Sequence, residues 1–282
     1  MALSAKSLIL DLLSTLRRGT MPVAALVEAG QIFGLADNNV RVALARLLAA
    51  GSIERDARGC YRLGPTAVPV REQVVSWRHI DQRIRTWEPG RWLVVDTGTV
   101  QGSAGARKRR ERALRFLGFA ELRPGLAVRP ANLRESPEQT GAQLLALGLE
   151  SDALVGVLTH LSPDIEVRAA GLWDADALAD GYRSSKSALA SSEQQLPQLG
   201  EGEAMVESFV LGGRVMRQLI FDPLLPEPIV PAAERSALVA ALRHYDRLGR
   251  ACWARFLGRH DVPSLRTPAD TRISDGTPRL WH

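Results

Sequence analysis

The sequence predicts an α+β protein in three folded parts, and three observations lead to this fold class. The first 65 residues contain three segments with helical spacing of apolar residues, then two short β-type runs around a turn, as in a winged helix-turn-helix. The next part orders its apolar runs and helical segments as β-α-β-β-α-β, the order of a ferredoxin-like domain. Beyond residue 170 the pattern is helical almost throughout.

The expected boundaries follow from proline and glycine breaks and from changes in periodicity. We predict a winged-helix domain at 1–65, a linking helix at 66–90, a ferredoxin-like middle domain at 91–170, a helical C-terminal domain at 171–258 and an extended tail at 259–282. A chain of 282 residues is long enough for two or three such domains, each with its own core.

The N-terminal domain is predicted from helix periodicity and from signals at the helix ends. Residues 4–17 repeat leucine at helical spacing, and "VAALVEAGQIFGL" predicts a short second helix. Asp37 is expected to cap a third helix, Asn38 to Ala50, which Gly51 ends. Two wing strands are expected to follow, at Ile53–Arg55 and Cys60–Leu63.

The linking helix is predicted from a single apolar stripe. Its members recur at i, i+3, i+7 and i+10, namely Trp77, Ile80, Ile84 and Trp87. The middle domain then begins with a buried-type strand at Arg91–Thr97 and a very basic helix at Ala106–Leu117. A hairpin is expected around Pro124-Gly125, a helix from Ser136-Pro137 to Leu147, and a last strand in "ALVGVLTHLS".

Three helices are expected in the C-terminal part. Asp174 caps the first, and the second, "GEAMVESFVLGGRVMRQLIF", is expected to be interrupted at Gly212–Gly213 because adjacent glycines weaken a helix. The third is the long segment "AAERSALVAALRHYDRLGRACWARFLG".

Charge is unevenly distributed along the chain. The formal net charge is +5, but residues 1–65 carry +3, residues 66–134 carry +8 and residues 135–282 carry −6. This asymmetry indicates a polyanionic partner for the front of the chain. Nearly all the cations are arginines, whose planar fork suits phosphate and guanine, although a coding bias toward arginine explains the ratio equally well.

Neither a membrane nor an oxidising compartment is indicated. No apolar run approaches the roughly 18 residues that span a bilayer, and no signal-peptide cleavage pattern follows the N-terminal apolar stretch. Cys60 and Cys252 are far apart in sequence and make neither a disulfide framework nor a zinc site. We therefore expect a cytoplasmic protein with no membrane partner.

The predicted third helix has two distinct sides. One side collects Val40, Ala43, Leu44, Leu47 and Leu48. The other side combines Asn and Arg with small side chains, which let a helix approach the floor of the major groove, where Asn can pair with adenine and Arg with guanine. The candidate DNA-binding residues are Asn38, Asn39, Arg41, Val42, Ala45 and Arg46 on this helix and Arg55 and Arg58 on the wing. The alternative is an ordinary surface helix with solvated arginines; the helix before it, the wing after it and the charge favour DNA binding.

Five blocks of the sequence together resemble the PaaX family, bacterial repressors of phenylacetate-type catabolism. In order they are "NNVRVALARLLAAGSIERDARGCYRL", "WEPGRWLVV", "LRFLGFAELRPGLAVRP", "LWDADALADGY" and "FDPLLPEP", and the resemblance extends over roughly residues 4–257. It implies a winged helix, a ferredoxin-like middle domain and a helical C-terminal domain. It also implies a homodimer on a palindromic operator of double-stranded DNA, released by an aryl-CoA or acyl-CoA thioester such as phenylacetyl-CoA.

The basic run "ARKRRER" contains the strongest charge cluster, formed by Arg107, Lys108, Arg109, Arg110 and Arg112. Three interpretations remain open, since the spacing does not separate them. The run forms a solvated helix face, contacts DNA phosphates, or contacts the phosphates of a CoA effector.

A metal-dependent nuclease and a co-regulator are the two alternatives to a repressor. Asp96 ends the first middle-domain strand, where small CRISPR-associated nucleases, which the middle domain of the family resembles, carry a metal-binding Asp; this resemblance implies a metal-dependent nuclease as the first alternative. No second carboxylate lies at a suitable spacing, and a strand-capping role is favoured. A co-regulator that uses its wing for protein contact is the other. The histidines form no metal pattern, so we expect no enzyme, metal or resident cofactor, only an acyl-CoA-type effector.

Overall fold

The computed structural model describes residues 3–15, 20–56, 59–65, 77–98 and 103–262 of the chain. Helices and strands are mixed within them, and the strands form two small antiparallel sheets, one of three strands and one of four. The predicted α+β class is therefore confirmed.

The N-terminal elements follow the predicted order. They are α1 (Ala5–Thr15), β1 (Thr20–Pro22), α2 (Val23–Ile32), α3 (Asp37–Ala49), β2 (Ile53–Arg55) and β3 (Cys60–Leu63). Strand β1 was not expected, since three residues around a proline carry no alternating pattern. It pairs with β3, with Met21 opposite Tyr61, and the sheet order is β1-β3-β2.

The start of α3 differs from the expectation. The residue that caps its N-terminus is Ala36, without a side-chain hydrogen bond, so the prediction that Asp37 is the cap was wrong. Asp37 lies in the first turn, and its Oδ1 accepts a hydrogen bond from Gln31 Nε2 at 2.7 Å. The carboxylate is thus held by the end of α2, and it still favours the helix because it lies near the positive end of the helix dipole.

The described part of the predicted linking helix contains less helix than expected. A 3₁₀ turn at Trp77–His79 continues into the single α-helical turn α4 (Ile80–Arg83), and residues 66–76 lie outside the described part. Ile84 is extended, with φ −103° and ψ 151°. The helix ends there because the next backbone groups pair elsewhere: Arg85 N–H donates to the Asn132 carbonyl at 2.8 Å.

The middle part contains the second sheet. Its elements are β4 (Trp92–Asp96), α5 (Ala104–Phe116), β5 (Ala120–Arg123), β6 (Leu126–Pro130), α6 (Pro137–Ala146) and β7 (Leu154–Leu158). The strand order is β5-β6-β4-β7, and every neighbouring pair is antiparallel. Leu93 and Val95, two residues apart on β4, lie in one core cluster with Ala113 of α5 and Leu144 of α6. Both helices therefore pack on the same face of the sheet.

Two predictions in this part are confirmed, the hairpin around Pro124-Gly125 and the helix that begins at Ser136-Pro137. The hairpin turn needs Gly125, because its φ is 80° and an added Cβ would lie 2.2 Å from the Gly98 carbonyl oxygen. Helix α6 begins with a reciprocal capping box: Ser136 Oγ accepts from the Gln139 N–H, and the Gln139 side chain accepts from the Ser136 N–H.

The C-terminal part is helical, with α7 (Pro163–Ala170), α8 (Ala175–Gln195), α9 (Glu201–Ile220) and α10 (Ala232–Arg259). Helix α7 was not expected. Helix α9 is continuous, so the predicted interruption at Gly212–Gly213 was wrong. The helix persists because Gly212 lies against the ring of Tyr245, whose Cδ1 would be 3.7 Å from an added Cβ. Among the helices of the described residues, none combines the length and the apolar character that crossing a bilayer requires.

The chain divides into two compact units, each made of separate segments. Unit 1 comprises Met1–Gln73, Ser192–Gly212 and His244–His282, and unit 2 comprises Val74–Ser191 and Gly213–Arg243. In unit 1 the core of the winged-helix segment also contains Met205, Trp253 and Phe256. The ring of Phe33 contacts those of Phe209 and Trp253, with centroid distances of 5.3 and 6.2 Å. C-terminal helices thus complete the core beneath the N-terminal helices.

Candidate nucleic-acid interface

Helix α3 is held in place by a narrow apolar stripe. Val40, Leu44 and Leu47, at i, i+4 and i+7, are 0–3% exposed and belong to the core of unit 1. Helix α2 approaches closely at Gly30, where an added Cβ would lie 2.5 Å from Val40 Cγ2. This packing fixes which side of α3 faces outward.

The outward side of α3 carries the predicted DNA-binding residues. All six helix positions are exposed, namely Asn38, Asn39, Arg41, Val42, Ala45 and Arg46. One position differs from the helical wheel: Leu48, expected in the core, is 42% exposed, because the buried stripe is satisfied by the three residues 40, 44 and 47.

The two arginines of this face have side-chain donors that no described residue uses. Within the described part of the chain, neither Arg41 nor Arg46 makes a side-chain hydrogen bond or an ion pair. Each guanidinium has five N–H donors in a fixed fork, a geometry that matches the O6 and N7 acceptors of guanine. Ala45 lies between them in sequence and keeps the surface low, so both side chains can extend toward a groove.

The wing provides one described candidate. Arg55 is exposed at the end of β2, and its Nη2 lies 3.4 Å from the position of a Cβ at Gly59. Arg58 lies outside the described residues. Arg62, which the sequence did not single out, pairs across the strands with Glu54 at 2.8 Å. The side chains of Arg62 and Glu54 are both exposed, so this pair contributes little to stability.

The basic run on α5 is divided by its contacts. Arg107 pairs with Glu111 at 3.6 Å, and Arg110 pairs with Glu150 at 3.3 Å, the latter two side chains being only 15% and 21% exposed. The Cβ of Arg109 packs against Gly148. The exposed pair Lys108 and Arg112 make no ion pair with any described residue.

A cavity of about 670 Å³ lies in unit 2, between α5 and the β5–β6 hairpin, and is called here the hairpin cavity. It brings together Arg107 and Arg110 from the predicted run, but not the other three residues of that run. Arg115, which the sequence analysis missed, is the third arginine in its wall. The sequence could have indicated Arg115, since it follows Arg107 by eight positions, about two helical turns, on the same helix.

Asp96 has a structural contact. Its Oδ1 accepts a hydrogen bond from the Gly98 N–H at 2.7 Å, so the carboxylate caps the end of β4. In the described ranges, no three side chains of His, Cys, Asp or Glu come together in a way that could hold a metal ion. The observed contact is the strand-capping role that the sequence favoured for Asp96.

Comparisons with known proteins bear on the fold and on the N-terminal segment. This chain is similar in structure to Uncharacterized protein Rv0674 from Mycobacterium tuberculosis, with a TM-score of 0.60 and 22% sequence identity, covering 88% of this chain and 98% of that one. At that identity the likeness concerns the fold alone. No curated protein matches the sequence.

The family comparison concerns the segment that contains α1 to α3 and the wing. The PaaX-like protein model matches residues 4–67, and the PaaX family is a family of transcription regulators. This match confirms the predicted resemblance: over residues 4–67 the chain is PaaX-like in sequence.

Proposed function

We propose that this protein is a DNA-binding transcriptional repressor that recognises double-stranded DNA with α3. One observation carries the proposal: a buried stripe of Val40, Leu44 and Leu47 holds α3 so that a face of asparagine, arginine and small residues is left exposed. The PaaX-like match over the same segment supports it. Exposed donors on a helix that is fixed by its core are what direct readout of the major groove requires.

The finer parts of the proposal rest on the resemblance. We propose a cytoplasmic homodimer on a palindromic operator of a catabolic operon, released by an aryl-CoA or acyl-CoA effector such as phenylacetyl-CoA. The middle sheet supports the ferredoxin-like assignment, since the chain order β-α-β-β-α-β is combined with the strand order β5-β6-β4-β7. Release requires the effector to bind more tightly to a conformation that fits the operator poorly.

The base-reading role of Arg41 is tested by Arg41→Ala. If Arg41 is bidentate to guanine, the variant loses about 1–3 kcal/mol of discrimination at one base pair. Selection from a random duplex library, for the wild type and for the variant, should show one degenerate position in the variant's motif. Arg55→Ala is the matched control. If this wing arginine contacts a phosphate, its loss should reduce the salt dependence of binding and leave the motif unchanged. Equal weakening on every sequence by Arg41→Ala would contradict the role.

The edge of the middle sheet supports the homodimer. Strand β7 pairs only with β4 among the described strands, and its outer edge carries Leu154 at 71% and Val157 at 37% exposure. The strand reads Leu-Val-Gly-Val-Leu in both directions, so two copies can pair antiparallel about Gly156 with like residues opposite. An apolar, unprotected edge is a site of strand pairing between chains.

A lysine at this edge should therefore prevent dimer formation. In the pairing about Gly156, Val157→Lys places a charge opposite Val155 of the second copy and on a diagonal from the second copy's own lysine, and we expect a monomer at concentrations where the wild type is a dimer. Analytical ultracentrifugation measures this directly. The control is Val167→Lys, which changes a residue 75% exposed on α7, outside the strand. A dimer that survives Val157→Lys but not Val167→Lys would assign the interface to α7.

A further inference from the structure

We propose that the hairpin cavity is a binding site for an amphipathic organic anion, with an apolar body inside the cavity and an anionic group on Arg115. The inference deepens the proposed function, on which it rests, by placing the effector site in unit 2 and naming the residue that binds its anionic group. At about 670 Å³ the cavity falls in the usual range of small-molecule sites.

The inner wall of the cavity is apolar. Val95 of β4, Leu114 of α5 and Phe119 just before β5 line it, and Val95 and Phe119 also belong to the core cluster of the middle sheet. A ligand that enters would therefore lie against side chains with no hydrogen-bonding groups. An aromatic or branched aliphatic body fits this wall, because its removal from water is favourable there.

An aromatic side chain remains exposed at the rim. Phe221 lines the cavity and is 53% exposed, although its ring contacts that of Phe116 edge-on at 5.6 Å. A large exposed aromatic beside a cavity is typical of a ligand-binding surface rather than of a closed core. An aryl ring in the cavity would cover this face of Phe221.

Charge at the cavity points to an anion and to one residue. Arg107 is paired with Glu111 and Arg110 with Glu150, while Glu121, also in the wall, accepts from the Gly125 N–H at 3.2 Å. The side chain of Arg115 makes no hydrogen bond or ion pair with any residue in the described part of the chain. Its guanidinium is therefore the cation that a carboxylate or phosphate can bind without breaking an existing pair.

The wall is rigid on the side of Gly118 and Pro223. Gly118 has a φ of 75°, and an added Cβ would lie 2.7 Å from the Pro223 carbonyl oxygen. The buried Arg129 donates to the carbonyls of Leu117 and Pro223, the latter at 3.2 Å. Burial lowers the pKa of Arg129 to about 9, so the guanidinium stays charged at neutral pH. The site is thus largely formed before a ligand binds, which reduces the ordering cost of binding.

Titration calorimetry on the full chain without DNA tests the proposal. The probes are phenylacetate, its CoA thioester, free CoA and neutral phenylacetamide. We expect the acid or the thioester to bind, and at least about tenfold weaker binding of free CoA and of the amide, since each lacks one of the two features. Binding of phenylacetate would show that the anionic group is a carboxylate, and binding of the thioester alone would show that it is a CoA phosphate.

Two arginine variants assign the site. Arg115→Ala should weaken binding of the probe by about tenfold or more, as expected for the loss of a charge-assisted hydrogen bond. Arg214→Ala, which removes an exposed arginine of α9 outside the cavity, should leave binding unchanged. Phe221→Ala should also weaken binding. Equal loss in the Arg115 and Arg214 variants, or no binding of either anion, overturns the proposal.

DNA affinity, measured without ligand, separates this inference from the proposed function. Arg115→Ala is expected to bind duplex DNA as the wild type does. A protein that binds DNA but no probe would overturn the ligand site alone, and one that binds the probe but no DNA would overturn the repressor alone.

Discussion

Ala45→Glu is expected to abolish specific duplex binding while the protein remains folded. Ala45 is exposed near the middle of the outward face of α3, where a small side chain lets the helix approach DNA. A carboxylate there faces base acceptors and phosphates, and like-charge contacts of this kind cost several kcal/mol, which corresponds to a loss of about 100-fold or more. Fluorescence anisotropy on the duplex selected by the wild type measures the effect.

A matched substitution shows that the loss is local. Ala190→Glu changes another exposed alanine, on α8, by the same charge and should leave the duplex affinity within about twofold, because long-range charge effects are screened at physiological salt. Both variants should keep the wild-type midpoint of thermal unfolding. Wild-type affinity in Ala45→Glu would show that α3 does not enter the groove.

The second large effect is expected at a buried ion pair in unit 2. Asp222 is buried. Its Oδ1 lies 3.7 Å from Arg235 Nη1 and accepts from the Leu224 N–H at 2.8 Å, and its Oδ2 accepts from the Tyr182 hydroxyl at 2.5 Å. Burial raises the pKa of Asp222, and the charge of Arg235 opposes that shift. Arg235 also donates to the Leu225 carbonyl at 2.8 Å. The segment "FDPLLPEP" is thus held by one carboxylate and one guanidinium.

Asp222→Ala should therefore lower the free energy of unfolding strongly. The variant leaves Arg235 buried without a countercharge, a change that costs about 3–5 kcal/mol. Urea unfolding followed by tryptophan fluorescence measures it. Asp180→Ala is the control, because Asp180 pairs with Arg183 at the surface, where such pairs are worth about 0–1 kcal/mol. Similar losses in the two variants would contradict the role of the buried pair.

Local patterns were sufficient where one neighbour along the chain decides the structure. Leucine spacing predicted α1, Ser136-Pro137 predicted the start of α6, and Asp174 predicted the start of α8, where the Ala177 N–H donates to its Oδ1 at 2.9 Å. These signals act within one or two helical turns, so the sequence alone contains the interacting groups. The outward face of α3 was predictable for the same reason, apart from Leu48.

Distant partners decided the remaining elements. The stripe beginning at Trp77 does not continue as a helix at Ile84, because backbone groups near residue 132 take up its hydrogen bonds. Helix α9 continues through Gly212 because Tyr245, far along the chain, packs against that glycine. Strand β1 forms because its backbone pairs antiparallel with β3, which lies about 40 residues farther along the chain.

The sequence by itself determined the fold class and the residue types on the outward face of α3, since periodicity and capping are properties of neighbouring residues. Only the tertiary structure decided which arginines have donors that no group in the described part of the chain uses. It pairs Arg107 with Glu111 and Arg110 with Glu150, and places Arg115 beside a cavity that four separate segments enclose. The physical reason is that an ion pair or a cavity wall depends on which surfaces pack together, and local sequence patterns do not predict contacts between residues that are far apart in the chain.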